Sequence, residues 1–531
     1  MEKDNGQPYE ISYLIEVVKE QFYRILRSNP AKWNIAKEEI LRWESGKLTI
    51  RNMLKSCGYG DENARAFVQS YMREFVQKYG GINATTIENA IPFENPPAME
   101  FRVRFLILLM LREREVGKQA ISSLIEQYGW NKPRYDSEEE QYEITKQDVD
   151  QAFYKEYQGL SYEEKLAVLV QRIYETYLGY GIIDRVLTMS LDGVSAGVSK
   201  DEKTIWIFYR GTTIHMPCLS FESEKEMIRV CRNLYRYGNQ GQLSQEKGYI
   251  TGSRKDGSRV VVMRPSFSES WAFFVRKFDT AKQLRLRDIL KRDRRSELEI
   301  LLKWITKGCQ VTGITGQQGS GKTTLLMAMI EMIPCAYTIR VQELTFELQL
   351  RERYPDRNIL SLKETESISG QEALDLLKKT DGVVTILGEV ATHPVASWLI
   401  QVSQTASLFT MFTHHAKTTK DLMEGLRNAL LKEGGFQNER VALEQVVSSI
   451  RFDIHMAKTR EGERYVERIT EIIPNDSEKN GYELHDLILW EQGEYKRKWE
   501  LSKEVRTQIL KQLTLQEKQQ FLLDMGVLYG N

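Results

Sequence analysis

The chain has 531 residues, which suggests about three domains, and its hydrophobic and charged fractions of 41% and 28% are typical of globular proteins. Lysine plus arginine and aspartate plus glutamate both total 74, so the chain has no overall basic field that would favour nucleic acid. Five scattered cysteines without a C-x-x-C pair indicate reduced thiols rather than a zinc site or a disulfide framework. The polar start lacks the apolar core of a signal peptide, and we expect a cytoplasmic location.

Residues 1–140 are predicted to form a helical region. Apolar residues recur at helical spacing between Ile11 and Leu26. The longest apolar run, Phe105–Leu111, is too short to span a bilayer and predicts a buried helix. No chemistry-bearing motif occurs in this region, so its role is open between a docking module for a partner and an appended helical bundle.

Residues 141–280 change character and predict an α+β domain with helices at its entry. Ser161 and Glu164 form the S-x-x-E pattern of a capping box within a helical stretch at 145–178. The other predicted elements are a helix at 223–237, strands at 204–209, 249–251, 260–263 and 271–278, and a hairpin turn at 254–259.

The rest of the chain is predicted to hold a linker at 281–300, an α/β domain at 301–475 and a tail at 476–531. Short apolar strands alternate with longer helices in the α/β domain, which predicts a mostly parallel sheet with ligands at the carboxyl ends of its strands. The predicted strands are 309–315, 336–342, 383–387 and 408–413. The tail has one strand-like piece at 484–490, followed by charged helical residues.

A glycine-rich segment follows the first of these strands and fits the phosphate-loop pattern G-x-x-x-x-G-K-[ST]. Glycines allow backbone N–H groups to surround phosphates, and the next helix directs its positive end at the same anion. Lys322 adds a charge for the terminal phosphates, and the Thr323 hydroxyl can ligate Mg²⁺. The sequence therefore predicts a nucleoside triphosphate site built from Gly316, Gln317, Gln318, Gly319, Ser320, Gly321, Lys322, Thr323 and Thr324.

Hydrolysis of a triphosphate also needs a group that activates water, support for the metal and a sensor of the terminal phosphate. Three downstream segments carry suitable residues near predicted strand ends. Glu343 can face an attacking water. Glu389 follows an apolar strand that is expected to be buried, and a strand that ends in an acid usually supports Mg²⁺ in phosphate-loop enzymes. His415 can hydrogen-bond the γ-phosphate, whereas no role is expected for its neighbour His414.

Together the segments resemble the type II/type IV secretion ATPases, most closely the CpaF-like motors of Tad pilus assembly. The family's acidic box T-I-E-D-x-x-E-L-Q-L is similar to residues 341–350, its G-E-V-R-G to residues 388–392, and its G-T-x-H-A-N-S to residues 412–418. The resemblance implies a RecA-like phosphate-loop domain that hydrolyses ATP with Mg²⁺. It places Glu343 as general base, Glu347 as second acid, Glu389 as metal support and His415 as sensor.

The resemblance extends to the α+β domain. Residues 178–183, 256–260 and 275–278 are similar to the family's G-Y-G-P-L, D-G-S-R-V and I-R-K-F motifs. It implies that Arg259 and Arg276 reach the phosphates of the nucleotide. It also implies a homohexamer that works with an integral inner-membrane platform protein and associates peripherally with the membrane through that partner, without direct contact to nucleic acid.

Two departures from the family pattern keep other hypotheses open. Leu344 replaces the Asp of the acidic box, and Ala391 replaces the Arg of G-E-V-R-G. Neither side chain can coordinate or hydrogen-bond a ligand. The main hypothesis is an active ATP-driven motor, and the first alternative is a nucleotide-binding assembly subunit with weakened chemistry. A DNA-translocating ATPase is a third hypothesis, which the neutral net charge disfavours.

Overall fold

A computed structural model describes residues 9–29, 36–136, 139–238, 241–278, 286, 290, 295–365, 368–405, 407–459 and 462–529. The chain forms two compact units, Met1–Asp279 and Thr280–Asn531. Most of the linker predicted at 281–300 lies outside the described residues. The finer divisions predicted at residues 140, 300 and 475 stay predictions.

Unit 1 begins with helices, as predicted. These are α1 (Ile11–Arg27), α2 (Lys37–Cys57), α3 (Glu62–Lys78), α4 (Ile87–Ala90), α5 (Phe101–Val116), α6 (Ala120–Tyr128), α7 (Lys146–Glu156) and α8 (Tyr162–Tyr177). The predicted buried helix at 105–111 is confirmed, because the run lies in α5 and residues 105–109 are buried. The predicted capping box is also confirmed, since Ser161 Oγ and Ser161 N lie 2.7 and 2.6 Å from Glu164 Oε2.

The rest of unit 1 is a six-stranded antiparallel sheet with one helix. Its strand order is β5-β4-β3-β8-β7-β6, which confirms the predicted strands and adds β3 and β5. A small hairpin, β1 (Arg134–Asp136) with β2 (Glu139–Gln141), precedes the sheet. The elements are β3 (Gly193–Ala196), β4 (Thr204–Tyr209), β5 (Thr212–Ser220), α9 (Glu224–Leu234), β6 (Tyr249–Ser253), β7 (Arg259–Met263) and β8 (Ala272–Arg276).

One hydrophobic core runs through unit 1. It joins the early helices, through residues such as Val18, Val68 and Leu108, to strand residues such as Val194 and Val275. The N-terminal helices are therefore packed into the same folded unit as the sheet. No helix within the described residues is both long and apolar enough to cross a membrane.

Unit 2 is an α/β fold around a nine-stranded sheet in the order β11-β10-β12-β13-β9-β14-β15-β16-β17. Its strands are β9 (Thr312–Gly316), β10 (Ile339–Glu343), β11 (Ile359–Lys363), β12 (Val384–Leu387), β13 (Phe409–His414), β14 (Phe452–Lys458), β15 (Arg464–Pro474), β16 (Tyr482–Glu491) and β17 (Glu494–Arg497). Its helices are α10 (Arg295–Lys307), α11 (Lys322–Ile330), α12 (Leu350–Arg353), α13 (Gly370–Leu377), α14 (His393–Thr405), α15 (Thr419–Lys432), α16 (Glu439–Ser449), α17 (Lys503–Gln512) and α18 (Leu515–Tyr529).

The sheet of unit 2 is mostly parallel, which confirms the predicted fold. Strands from β11 to β14 pair in parallel, and the pairs from β14 to β17 are antiparallel. The four predicted strands correspond to β9, β10, β12 and β13, each within three residues of the predicted bounds. Because their carboxyl ends share one edge, the segments that follow these strands are brought together.

Candidate nucleotide-binding site

The glycine-rich loop joins β9 directly to α11. Gly316, Gly319 and Gly321 have φ angles of +136°, +76° and +97°, a region in which residues with a Cβ atom are strained. At Gly316 a Cβ atom would also lie 2.1 Å from the Met456 carbonyl oxygen. The loop therefore requires glycine, and it delivers the chain to the first, unpaired N–H groups of a helix, where anions bind readily.

Lys322 is the first residue of α11, and its side chain folds back over the loop. Its buried ammonium group donates to the carbonyl oxygens of Gly316 and Gln317, both at 3.0 Å. Its Nζ atom also lies 3.4 Å from Nδ1 of His415. The positive charge is thus held at the centre of the loop, which is the position that a phosphate-binding lysine requires.

A second contact continues this arrangement on the neighbouring strands. His415 follows β13, Glu389 lies two residues after β12, and β12 and β13 are adjacent and parallel. His415 Nε2 lies 3.2 Å from Glu389 Oε1. Since Nδ1 accepts from the ammonium, the proton of the neutral imidazole is on Nε2, which faces the carboxylate, an assignment made from the contacts. The structure therefore brings Lys322, His415 and Glu389 into one chain of contacts.

Glu343 lies at the same edge of the sheet, at the end of β10. Three strand spacings of about 4.8 Å separate β10 from β9. Its side chain is 2% exposed, and Oε1 accepts a hydrogen bond of 2.8 Å from the Leu348 amide. Burial raises the pKa of the Glu343 carboxyl to about 8, and Oε2 has no hydrogen-bond partner among the described residues. A carboxyl with a pKa near neutrality can accept a proton from water.

The β12 segment packs tightly against Glu343. The Gly388 amide donates to the Gln342 carbonyl oxygen at 2.8 Å. A Cβ atom at residue 388 would lie 2.9 Å from Glu343 Cγ. Glu343 and Glu389 are therefore carried by adjoining segments, although their side chains have different surroundings: Glu343 is buried and Glu389 is partly exposed.

The other loop residues differ in exposure. Gln317 and Gln318 are exposed, and Thr323 and Thr324 are partly buried in the first turn of α11. The Ser320 hydroxyl is fully buried and has no hydrogen-bond partner within the described ranges. Because buried hydroxyls are usually hydrogen-bonded, this group is suited to a ligand at the loop. Oxygen atoms are the ligands that Mg²⁺ prefers, and the side chains of Thr323 and Glu389 carry such oxygens.

The remaining predicted residues of this edge have local roles. His414 Nδ1 lies 2.7 Å from the Val390 carbonyl oxygen, and burial lowers its pKa. Glu347 Oε1 accepts a long hydrogen bond of 3.5 Å from the Thr345 hydroxyl. Leu344 is half-buried and Ala391 is exposed.

Arg259 and Arg276 lie directly opposite each other in unit 1, on the paired strands β7 and β8. Arg259 is half-buried and Arg276 is exposed. Like charges opposite each other on paired strands destabilise a sheet. The strand pairing therefore places two cationic residues side by side.

Sequence analysis missed a set of buried polar residues beside the loop. They are Thr315, Thr419, Asp453 and His455, which we call the tether cluster. Asp453 and His455 belong to β14, a strand that was not predicted and that pairs with β9. An acid and an imidazole alternating with apolar residues in Phe452–Met456 were the signal that could have found them.

Comparison with known protein families finds a match to part of the chain. Residues 261–451 match the family described as Type II/IV secretion system protein. The matched segment contains the loop, Glu343, Glu389, His415 and Arg276, whereas Arg259 and β14 lie outside it.

Three solved structures are similar to the chain at low sequence identity. The VirB11 ATPase of the Brucella suis type IV secretion system, in complex with sulphate, has 17% identity and a TM-score of 0.29, covering 53% of this chain and 89% of that one. The Legionella pneumophila ATPase DotB has 15% identity and a TM-score of 0.40, covering 65% and 88%. The pilus retraction motor PilT with bound ADP has 14% identity and a TM-score of 0.40, covering 66% and 89%. No curated protein matches the sequence significantly.

Proposed function

We propose that the chain is an ATP-hydrolysing motor of a type IV pilus or of a type II/IV secretion machine. The observation that carries the proposal is the contact chain of Lys322, His415 and Glu389 at a glycine loop on the carboxyl edge of a parallel sheet. A cation, an imidazole and a carboxylate in this order match the parts needed to hold a triphosphate, sense its last phosphate and support its metal. The family match to residues 261–451 supports the same function.

In this proposal the loop and Lys322 bind the β- and γ-phosphates. The ammonium would exchange its bonds to the Gly316 and Gln317 carbonyls for bonds to phosphate oxygens. Thr323 and Glu389 would hold Mg²⁺. Bound Mg²⁺ neutralises charge on the phosphate oxygens. His415 reports the γ-phosphate because its Nδ1 faces the lysine at 3.4 Å.

Glu343 is the proposed general base. It would take a proton from water as the water oxygen bonds to the γ-phosphorus, while the bond from that phosphorus to the bridging oxygen breaks and ADP leaves. The raised pKa suits this role, since a base with a pKa near the working pH transfers protons well. Arg259 and Arg276 are proposed to bind phosphate, as the family resemblance implies.

The larger setting is also proposed from the resemblance. It comprises a homohexamer at the cytoplasmic face of a membrane, an integral platform protein as partner, and ATP-driven domain motions that move pilin subunits or exported proteins. The Tad pilus branch is the proposed place within the family, on the motifs at residues 341–350, 388–392 and 412–418.

The test is a pair of measurements on the purified full chain with Mg-ATP: nucleotide affinity and steady-state phosphate release. We expect Lys322→Ala to weaken ATP binding by roughly 100-fold, because charge-assisted hydrogen bonds contribute up to about 3 kcal/mol. The matched control is Lys420→Ala, which removes an exposed lysine 3.7 Å from Glu424 and should change neither value. Equal behaviour of the two variants, or a wild-type chain that releases no phosphate, would overturn the proposed function.

A second candidate is an assembly subunit that binds nucleotide without turning it over. Leu344 and Ala391 favour it, because each presents an apolar group where the family pattern has a charge. Nucleotide binding that depends on Lys322, without phosphate release that depends on Lys322, would select this candidate.

A further inference from the structure

The tether cluster occupies a buried position between two parts of the candidate site. Thr315 is the last residue before Gly316 at the start of the loop. Thr419 is the first residue of α15, four residues after His415. Asp453 lies on β14, the strand paired with β9, and both threonines point at it from residues far away in the sequence.

One carboxylate joins the two threonines. The Thr315 hydroxyl donates to Asp453 Oδ1 at 2.6 Å, and the Thr419 hydroxyl donates to Oδ2 at 2.7 Å. His455 Nδ1 lies 2.8 Å from the Thr315 oxygen. Because the Thr315 hydroxyl already donates its hydrogen to Asp453, the Nδ1–H group of His455 is the donor to the Thr315 oxygen. Arg468 Nη2 lies 3.6 Å from Asp453 Oδ2, so a cation faces the carboxylate from β15.

Both ends of this link are rigidly held. The Thr418 hydroxyl caps α15 by accepting from the Asp421 amide at 3.0 Å, and Thr418 N donates to the Asp421 carboxylate at 3.1 Å. On the other side, Thr315 lies within the parallel ladder of β13, β9 and β14. The segment 415–418 is therefore held at both ends. It follows β13 on one side, and on the other side it leads into α15, whose first residue is hydrogen-bonded to Asp453.

A purely structural role is the ordinary explanation for buried hydroxyl–carboxylate bonds. The same sheet contains one, in which the Thr470 hydroxyl donates to Asp486 at 2.6 Å. That bond joins β15 to β16, which are paired strands, and holds no loop of the site. The bonds of Asp453 differ because they connect the phosphate loop to the segment that carries His415.

We propose that Asp453 is a positioning residue for hydrolysis, which keeps the phosphate loop and the His415 segment in register through the hydroxyls of Thr315 and Thr419. Asp453 itself does not touch nucleotide. The proposal rests on the proposed function and adds the way in which His415 is held 3.4 Å from Lys322.

The main test is Thr419→Val, which removes one hydroxyl at nearly constant volume. We expect kcat to fall by about tenfold, equivalent to about 1.4 kcal/mol, while ATP affinity changes by less than about threefold. Thr419→Ser restores the hydroxyl and should restore kcat. The matched control is Thr470→Val, which removes a buried hydroxyl of the same sheet, with a bond of 2.6 Å to Asp486 against 2.7 Å for Thr419, and should leave kcat unchanged.

A double-mutant cycle separates positioning from general stability. If Thr419 acts through His415, Thr419→Val should cause no further loss of kcat in a His415→Ala background. Losses that multiply in the double variant, or a kcat for Thr419→Val equal to that for Thr470→Val, would overturn the positioning role. Asp453→Asn, which weakens both bonds, should lower kcat at least as much as Thr419→Val. A wild-type chain without turnover dependent on Lys322 would instead refute the proposed function.

Discussion

Buried carboxyl groups have opposite surroundings in the two units. In unit 1, Glu175 of α8 is flanked by the guanidinium groups of Arg172 and Arg102, the latter at 3.3 Å. In unit 2, Glu343 of β10 is bonded to a backbone amide and forms no ion pair within the described part of the chain. Burial raises the pKa of both groups, but only Glu175 has cations beside it to oppose that shift.

The different surroundings of these two carboxyl groups indicate that one stabilises the fold and the other is available for chemistry. Arg102 lies on α5 and Arg65 on α3, and they reach Glu175 of α8 and Asp184 after it. These pairs connect the first helices to the rest of unit 1 and fix how they pack. Among the residues that the structure describes, Glu343 has no such link and its Oε2 has no hydrogen-bond partner, so this oxygen is suited to a reacting water rather than to another element of the fold.

The largest effect is expected for Glu343→Gln, which removes the buried carboxyl group of β10 in unit 2. A general base typically contributes about 10²–10⁴-fold to the rate, so kcat should fall by that factor while ATP affinity is retained. Steady-state phosphate release and nucleotide titration check both values. A loss of affinity as large as that of Lys322→Ala would contradict the role as base.

Removing a cation in unit 1 should instead affect stability. Arg172→Met leaves Glu175 buried with one arginine fewer, and breaking a buried pair costs about 3–5 kcal/mol. Urea unfolding followed by a probe in unit 1 measures the change. Arg232→Met, at an exposed residue of α9, is the control and should stay within about 0.5 kcal/mol of wild type.

The pH dependence sharpens the comparison further. Glu343 must be deprotonated to act, so kcat should rise by about tenfold between pH 7 and pH 9, around its pKa of about 8. The pKa of Glu343 in the folded state, about 8, is above its ordinary value of 4.5. The contribution of this group to the free energy of unfolding is therefore present below pH 4.5 and is lost as pH rises through 8. Glu343→Gln should flatten both profiles. A wild-type rate that is constant over this range would argue against Glu343.

The smallest expected effect concerns the arginine pair of β7 and β8. Arg276→Gln removes a like-charge contact and should stabilise unit 1 by about 0.2–1 kcal/mol in the absence of nucleotide. The same change should lower turnover if the pair binds phosphate. Thermal unfolding tests the expected gain in stability, and phosphate release tests the expected loss of turnover. The control Arg232→Gln should change neither quantity.

The sequence predicted the parts of the site that follow apolar strands. Lys322, Glu389 and His415 each lie in the segment that follows a short apolar strand, and a parallel sheet brings such segments to one edge. Strand β14 was missed because Asp453 and His455 interrupt its apolar pattern. Inside the sheet Asp453 is hydrogen-bonded by Thr315 and Thr419, and partners 138 and 34 residues away are not visible in a local pattern.

The absence of a side chain at residue 388 has a consequence for the chemistry. A methyl group there would lie 2.9 Å from Glu343 Cγ, so the glutamate occupies space that any other residue at 388 would claim. The direction in which the Glu343 carboxylate points therefore depends on Gly388 having only a hydrogen atom as its side chain. Enlarging that atom to a methyl group would misdirect the carboxylate while the phosphate cradle, formed by other strands, kept its shape.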